Sequence, residues 1–116
     1  MSKTRAKGTS WETSIVNFLS ESFPHVKRTG SANFGGGDID LAPNVVIECK
    51  NVAKIELAAI VAQTEAAAQR NHADIAAAWI KKRGKSSPAE AYVVMSGSQF
   101  LWILNSLIEV DEDGRP

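Results

Sequence analysis

The amino-acid pattern predicts one mixed α/β domain, with a central β-sheet flanked by helices in the order α-β-β-β-α-β-β-α. Three observations predict it. An apolar stripe of helical period ends before Pro24; two short apolar runs flank Ala42-Pro43-Asn44; an Ala-rich helical stretch is followed by two more apolar runs. At 116 residues there is room for a single core. The hydrophobic share of 44% and charged share of 22% suit a globular chain and exclude a disordered tail, a fibre or a disulfide-dense miniprotein.

Taken in order, residues 1–8 are polar and basic without periodicity, and are expected as a flexible arm. Thr9 or Ser10 can cap a helix running to about Ser22. On a helical wheel Phe18, Trp11, Ile15, Leu19, Phe23 and Val16 fill an arc of about 160°. Glu12 falls inside that arc, where a carboxylate is costly unless compensated or able to reach water. His25 to Thr29 reads as a strand, and Gly30 to Gly37 as a flexible loop with four glycines. Asp38–Leu41 and Val45–Lys50 read as a hairpin. Val52 to about Asn71 reads as an Ala-rich helix with Ile55, Ile60 and Gln63 on one side. Ile75–Ile80 is apolar enough for a buried strand, although its alanines also suit a helix. A basic loop, Lys81 to Pro88, leads to a strand at Ala91–Met95 and a closing helix at Ser98–Leu107, capped by Ser96 or Ser98. The domain is expected over residues 9–110, with a frayed acidic tail at 111–116.

A single cysteine, Cys49, cannot form an internal disulfide, which predicts a reducing, cytoplasmic setting. No apolar run approaches the ~20 residues of a membrane span, and no signal-peptide core follows the basic start.

Thirteen basic and thirteen acidic residues give zero formal charge, which at first argues against a nucleic-acid partner. The zero is an average over blocks. Residues 1–36 carry net +3 (Lys3, Arg5, Lys7, Lys27 and Arg28 against two acids), and residues 37–65 carry net −3. Residues 66–85 carry net +4 (Arg70, Lys81, Lys82, Arg83 and Lys85 against one acid), and residues 86–116 carry net −4. Any one block is ordinarily a solvated face. Two basic blocks around an acidic centre also suit an anionic polymer held over a metal site.

Strand alternation puts Glu48 and Lys50 on one face with Val46, and Val45, Ile47 and Cys49 on the other, where Cys49 is an inert core thiol. Asp38 and Asp40 share a face of the first hairpin strand. If Pro43 is the hairpin midpoint, Asp38 stands opposite Glu48, with Cβ atoms ~4.5–5.5 Å apart. Two carboxylates so close share a proton or bind a cation. A turn centred between Pro43 and Asn44 would instead pair Asp38 with Cys49 and scatter the cluster. Oxygen ligands select a hard cation such as Mg²⁺, which activates water and offsets charge developing on a phosphate. Lys50 beside the pair can orient that water or stabilise the developing charge, whereas an E-x-K triplet alone is usually a surface ion pair.

Gly37-Asp38-Ile39 followed by Glu48-Cys49-Lys50-Asn51 resembles the signature of the PD-(D/E)XK nuclease superfamily, with Gly37 in place of its proline. Within it the pattern is most similar to archaeal-type and phage-encoded Holliday junction resolvases. Gly8-Thr9-Ser10-Trp11-Glu12 matches their capped helical Glu, Arg28-Thr29-Gly30-Ser31 their loop before the Asp, and Gln63 the Gln on the following helix. The resemblance covers roughly residues 8–95. It implies a restriction-endonuclease-like core in which Asp38 and Glu48 bind Mg²⁺, or Mn²⁺ as a substitute. The Cys49 carbonyl and Glu12 would complete the metal shell, Lys50 would act on the water or scissile phosphate, and Gln63 would bridge to the phosphate or Lys50. Asp40 is an extra acid that could replace Asp38, because related nucleases place the Asp at the end of a G-x-x-D run. The loop carrying Ser31 would join Lys3, Arg5, Lys7, Lys27, Arg28, Lys81, Lys82, Arg83 and Lys85 on DNA.

The expected activity is Mg²⁺-dependent hydrolysis of phosphodiesters in branched DNA, chiefly four-way junctions, in recombination and repair. A homodimer suits two symmetrical cuts. Phe100, Trp102, Ile103 and Leu107, or the strand around Trp79, are candidates for its surface, although Trp79 reads more readily as core. Flap, nick or duplex cleavage, or an inactive DNA-binding module of the same fold, are the alternatives. The small size points towards a phage, acting in host cytoplasm.

Overall fold

The structure is a computed structural model and describes residues 3–30 and 37–116, with residues 3–6 described as backbone alone. It is an α/β arrangement of five strands and three α-helices: α1 (Lys3–Ser20), β1 (Lys27–Arg28), β2 (Ile39–Asp40), β3 (Val45–Lys50), α2 (Leu57–Arg70), β4 (Ile75–Ile80), β5 (Tyr92–Val94) and α3 (Gly97–Leu107). A 3₁₀ turn at Pro88–Glu90 precedes β5. The strands lie in chain order in one mixed sheet, in which β3 and β4 are parallel and every other neighbouring pair is antiparallel. The α-helix between β3 and β4 supplies the crossover that a parallel pair requires.

Alternation along β3 sorts side chains onto two packed faces. Ile47, with Val45 and Cys49 at its margin, packs with Trp11 and Ile15 of α1 and with Ile39. Val46 packs on the opposite side against Ala67 and Ala68 of α2 and Ala76 of β4, while Ile60 meets Ala78 and Ile80. Alanine on both surfaces allows α2 to lie close to the sheet. Thr64 is buried between them because its hydroxyl donates to the Ile60 carbonyl oxygen at 2.8 Å. On the α1 face the Trp11 indole donates to the Trp79 carbonyl oxygen at 3.1 Å, and the Trp79 indole to that of Pro88 at 3.1 Å. Trp79 is therefore part of the packed interior. Phe18 meets the Trp79 ring edge-on at 5.8 Å but remains half exposed, as does Phe23, so the buried part of the α1 stripe is narrower than its apolar arc.

Several boundaries differ from the sequence reading. Helix α1 starts at Lys3, so residues 3–8 form its first turns rather than an arm. Lys, Arg and Ala favour helix strongly enough to carry Gly8, which costs about 1 kcal/mol relative to Ala. The Asn51 side-chain amide also donates to the Lys7 carbonyl oxygen at 3.4 Å. Helix α2 begins at Leu57, not Val52, because β-branched Val52 and Ile55 lie in a stretch without a capping side chain. The first strand contracts from residues 25–29 to Lys27–Arg28 and the fifth from residues 91–95 to Tyr92–Val94. Ser96 is the cap of α3, accepting from the Gln99 backbone N–H. Asp111 Oδ1 accepts from the N–H groups of Asp113 and Arg115 at 3.0 and 2.9 Å, closing a side-chain-stabilised turn. No described helix is long and apolar enough to cross a membrane.

Candidate functional site

The hairpin register settles which acids meet. Ile39 pairs with Ile47, the alignment that has Pro43 at its midpoint. The ladder tightens at Asp38, whose own N–H donates to the Ile47 carbonyl oxygen at 2.9 Å and whose Oδ2 accepts from the Cys49 N–H at 2.7 Å. Its carbonyl oxygen accepts from the Thr29 N–H at 3.0 Å, so both main-chain groups and the carboxylate of Asp38 are tied to neighbouring chain. Gly37 makes this possible. Its φ is +84°, and an added Cβ would stand 3.0 Å from the Ile47 carbonyl oxygen and 3.1 Å from Val46 Cγ1. A proline, with φ fixed near −65°, could not take this conformation, which accounts for glycine at this position.

Asp38 and Glu48 form the electrostatic centre. Burial raises the Glu48 pKa first, Asp38's charge and hydrogen bond raise it further, and Lys50 and Arg70 oppose the shift, leaving it at about 7. Glu12 is also raised, by burial and then by Asp38, against the pull of Arg28. The Arg28 guanidinium pairs with the Glu12 carboxylate at 3.5 Å. Asp38 thus acts on an acid from α1 and an acid from β3. The Cys49 thiol is pushed well above its ordinary range by burial and by Asp38, Glu12 and Glu48, in keeping with an inert thiol.

Lys50 projects towards α2, where its ammonium donates to Gln63 Oε1 at 3.1 Å. This joins two residues thirteen positions apart in sequence. Just beyond Lys50, a groove of about 320 Å³ is lined by Lys7, Asn51 and Val52 together with Lys81, Lys82 and Arg83. The Lys81 N–H donates to the Lys50 carbonyl oxygen at 2.9 Å, fixing the groove to the end of β3. Lys7 of the first basic block and Lys81–Arg83 of the second therefore meet at the end of β3. The other basic candidates are placed differently: Lys27 pairs with Asp40 at 3.9 Å, and Lys85 with Glu90 at 3.9 Å. Lys3 and Arg5 lie in the first turns of α1, and Ser31 lies outside the described residues.

Asp40 does not join the centre; it lines a separate cavity of about 250 Å³ with Thr29, Pro43 and Asn71. Among the described residues, no group of three or more His, Cys, Asp or Glu stands close enough to hold one metal ion. The donor set is then the Asp38–Glu48 pair, which fits Mg²⁺, since that ion binds through one or two carboxylates and keeps several waters. It does not fit a structural zinc site, which needs four closed ligands. Two residues went unforeseen. Arg70 acts on Glu48 from the last turn of α2, seven positions beyond Gln63 and so on a similar helical face. Asn51 fastens Lys7 to the groove through its amide.

No family model, curated protein or solved structure matches this chain.

Two outcomes follow from this geometry. Gly37→Ala is expected to lower stability by about 1–3 kcal/mol in urea unfolding, because backbone atoms must move and φ is unfavourable; a loss below ~0.5 kcal/mol would show that the close approach is not needed. Glu48 has a folded pKa above its unfolded value of 4.5, so its contribution to stability is complete below about pH 4.5 and is lost as pH rises through about 7. Glu48→Gln is therefore expected to raise stability at pH 8 by about 1–2 kcal/mol, less than the full shift because water screens the half-exposed carboxyl. At pH 4 the gain should vanish. Equal effects of the substitution at both pH values would contradict the assignment.

Proposed function

We propose that the chain is a Mg²⁺-dependent endonuclease that hydrolyses phosphodiesters in branched DNA, with the four-way junction as its substrate. The observation that carries this reading is the convergence of Asp38, Glu48, Lys50 and Gln63 beside a groove lined by Lys7 and Lys81–Arg83. A carboxylate pair with a lysine at its edge suits metal-assisted hydrolysis of a phosphate ester, and a basic groove suits the adjoining backbone.

Asp38 is preorganised by the Cys49 N–H, so its carboxylate keeps one orientation without recruiting a side chain for that purpose. Glu48 must lose its proton for the pair to carry the charge that holds a cation, which makes ion affinity rise through about pH 7. Bound by Asp38 and Glu48, Mg²⁺ would supply an acidified water and offset charge on the phosphate oxygens. Lys50, steadied by Gln63, presents a positive charge beside that position. Lys7, Lys81, Lys82 and Arg83 hold neighbouring phosphates, fixing which bond reaches the carboxylates. Glu12 and Arg28 border the centre as an ion pair.

The test is cleavage of a synthetic four-way junction with Mg²⁺. Glu48→Ala and Lys50→Ala are each expected to lower the rate by about 10²-fold or more while retaining the circular-dichroism spectrum. Equal cleavage by wild type and Glu48→Ala would remove the catalytic assignment. Symmetric nicking of the junction with matched duplex left intact is the expected specificity; duplex cut as fast would overturn the junction reading. The double variant Lys82→Glu/Arg83→Glu is expected to weaken junction binding and reduce the slope of log K against log salt by about 2, at ~0.9 per lost phosphate contact. An unchanged slope would take DNA out of the groove.

A further inference from the structure

Helix α2 runs back along β3. Ile60 packs against Ile80, which pairs with Lys50, whereas Ala67 and Ala68 pack against Val46 and Ala76. Gln63 therefore meets Lys50 near one end of the strand, and Arg70, about one turn beyond Ala67, lies towards the other. Helical side chains lean towards the N-terminus of their helix, which aims the long arm of Arg70 back along α2 towards the level of Glu48. Its charge acts on that carboxylate. Glu48 thus has Lys50 on one side and Arg70 on the other. The basic groove lies beyond Lys50, so the acidic centre stands between that groove and Arg70.

No local contact uses up the charge of Arg70. It is exposed and forms no ion pair among the described residues. Of the influences on the Glu48 proton, that of Arg70 is the smallest. A cation in the last turn of a helix complements the macrodipole, but that needs no particular face and no acid nearby. An exposed guanidinium held beside a carboxylate pair suits an anion brought to the same place, and its fork matches a phosphate. From Val46 to Lys50, β3 covers about 13 Å, at ~3.3 Å per residue. That length has room for about four phosphates of one DNA strand, at ~3.4 Å each along the helix axis. A strand whose phosphates occupy the groove can therefore cross the carboxylates and still meet Arg70.

We propose that Arg70 contacts substrate, holding a phosphate on the far side of the scissile bond from the basic groove, so that the site engages backbone on both sides of the cut. The proposal rests on the reading of this site as a nuclease centre. Junction binding is measured with Ca²⁺ in place of Mg²⁺, to hold substrate uncut. Arg70→Ala is expected to weaken binding about tenfold and to reduce the slope of log K against log salt by about 0.9, one phosphate contact. Arg70→Lys is expected to keep the slope. A purely helix-capping Arg70 would change unfolding and leave the slope alone. Junctions with a single neutral methylphosphonate on either side of the cut then locate the contact. With the Arg70 phosphate neutralised, Arg70→Ala is expected to cost nothing further, while Lys82→Glu/Arg83→Glu still weakens binding. Neutral phosphates on the groove side should give the reverse. A slope that Arg70→Ala leaves unchanged, while the groove double variant lowers it, overturns the Arg70 contact and leaves the nuclease reading standing. A loss that follows the same phosphates as the groove variant overturns the two-sided path. Wild type that neither binds nor cuts the junction removes the nuclease reading and this contact with it.

Discussion

The hydrogen bond from the Cys49 N–H to Asp38 Oδ2, at 2.7 Å, is the contact on which the site depends. Strand β2 is only two residues long and cannot by ladder bonds alone fix what precedes it. Asp38 makes up the difference. Its N–H reaches β3, its carbonyl oxygen receives the N–H of Thr29 just beyond β1, and its carboxylate grips β3 again two residues along. One residue thus joins the edge of the sheet to its central strand. The same carboxylate raises the proton affinity of Glu48, so the residue that organises the hairpin also makes the centre acidic. Gly37 is the condition for this arrangement, because the backbone on which Asp38 is mounted passes 3.0 Å from where a Cβ would meet Ile47.

The two faces of the sheet then have different tasks. Glu12 comes from the α1 face and is compensated by Arg28; Glu48 and Lys50 point to the α2 face, where Gln63 and Arg70 attend them. Asp38 lies between these acids and acts on both. Charges that cancel in the composition are separated by this geometry. Lys27, Arg28 and Lys85 are matched by local acids, whereas Lys7, Lys81, Lys82 and Arg83 form no ion pair among the described residues and gather in one groove. Neutrality of the whole chain therefore says little about the potential an approaching anion meets.

Much of this was legible in the residues, for specific reasons. A side-chain period of two makes register an all-or-none property, so a midpoint at Pro43 sufficed to bring Asp38 to Glu48. The helical period placed Glu12 in the apolar arc of α1, and it is indeed half buried, paired with Arg28. Gln63 lies on the α2 face that meets Lys50, as its position beside Ile60 suggested. Helix ends were less legible, because the helix-favouring residues around Gly8 outweigh it and no side chain caps the start of α2. The groove was not legible as a shape: Lys7 and Lys81 are far apart in sequence, and only the path of β3 and β4 brings them together. Asp40 shares strand parity with Asp38, but the β1–β2 register sets it opposite Lys27, with which it pairs.

The distribution of side-chain size bears on how such a domain is stabilised. Of its thirteen buried hydrophobic residues among those described, five are alanines, which contribute little area each. Larger side chains, including Phe100, Leu101, Trp102 and Leu107, lie outside. Small residues on α2 and β4 permit close helix–sheet packing behind the strand that carries Glu48 and Lys50. The same choice limits the hydrophobic stabilisation available within one chain. Helix α3 is tied to the sheet through the Gln99 side-chain oxygen, which accepts from the Ala76 N–H of β4 at 2.8 Å. That bond connects the exposed helix to the strand parallel to β3.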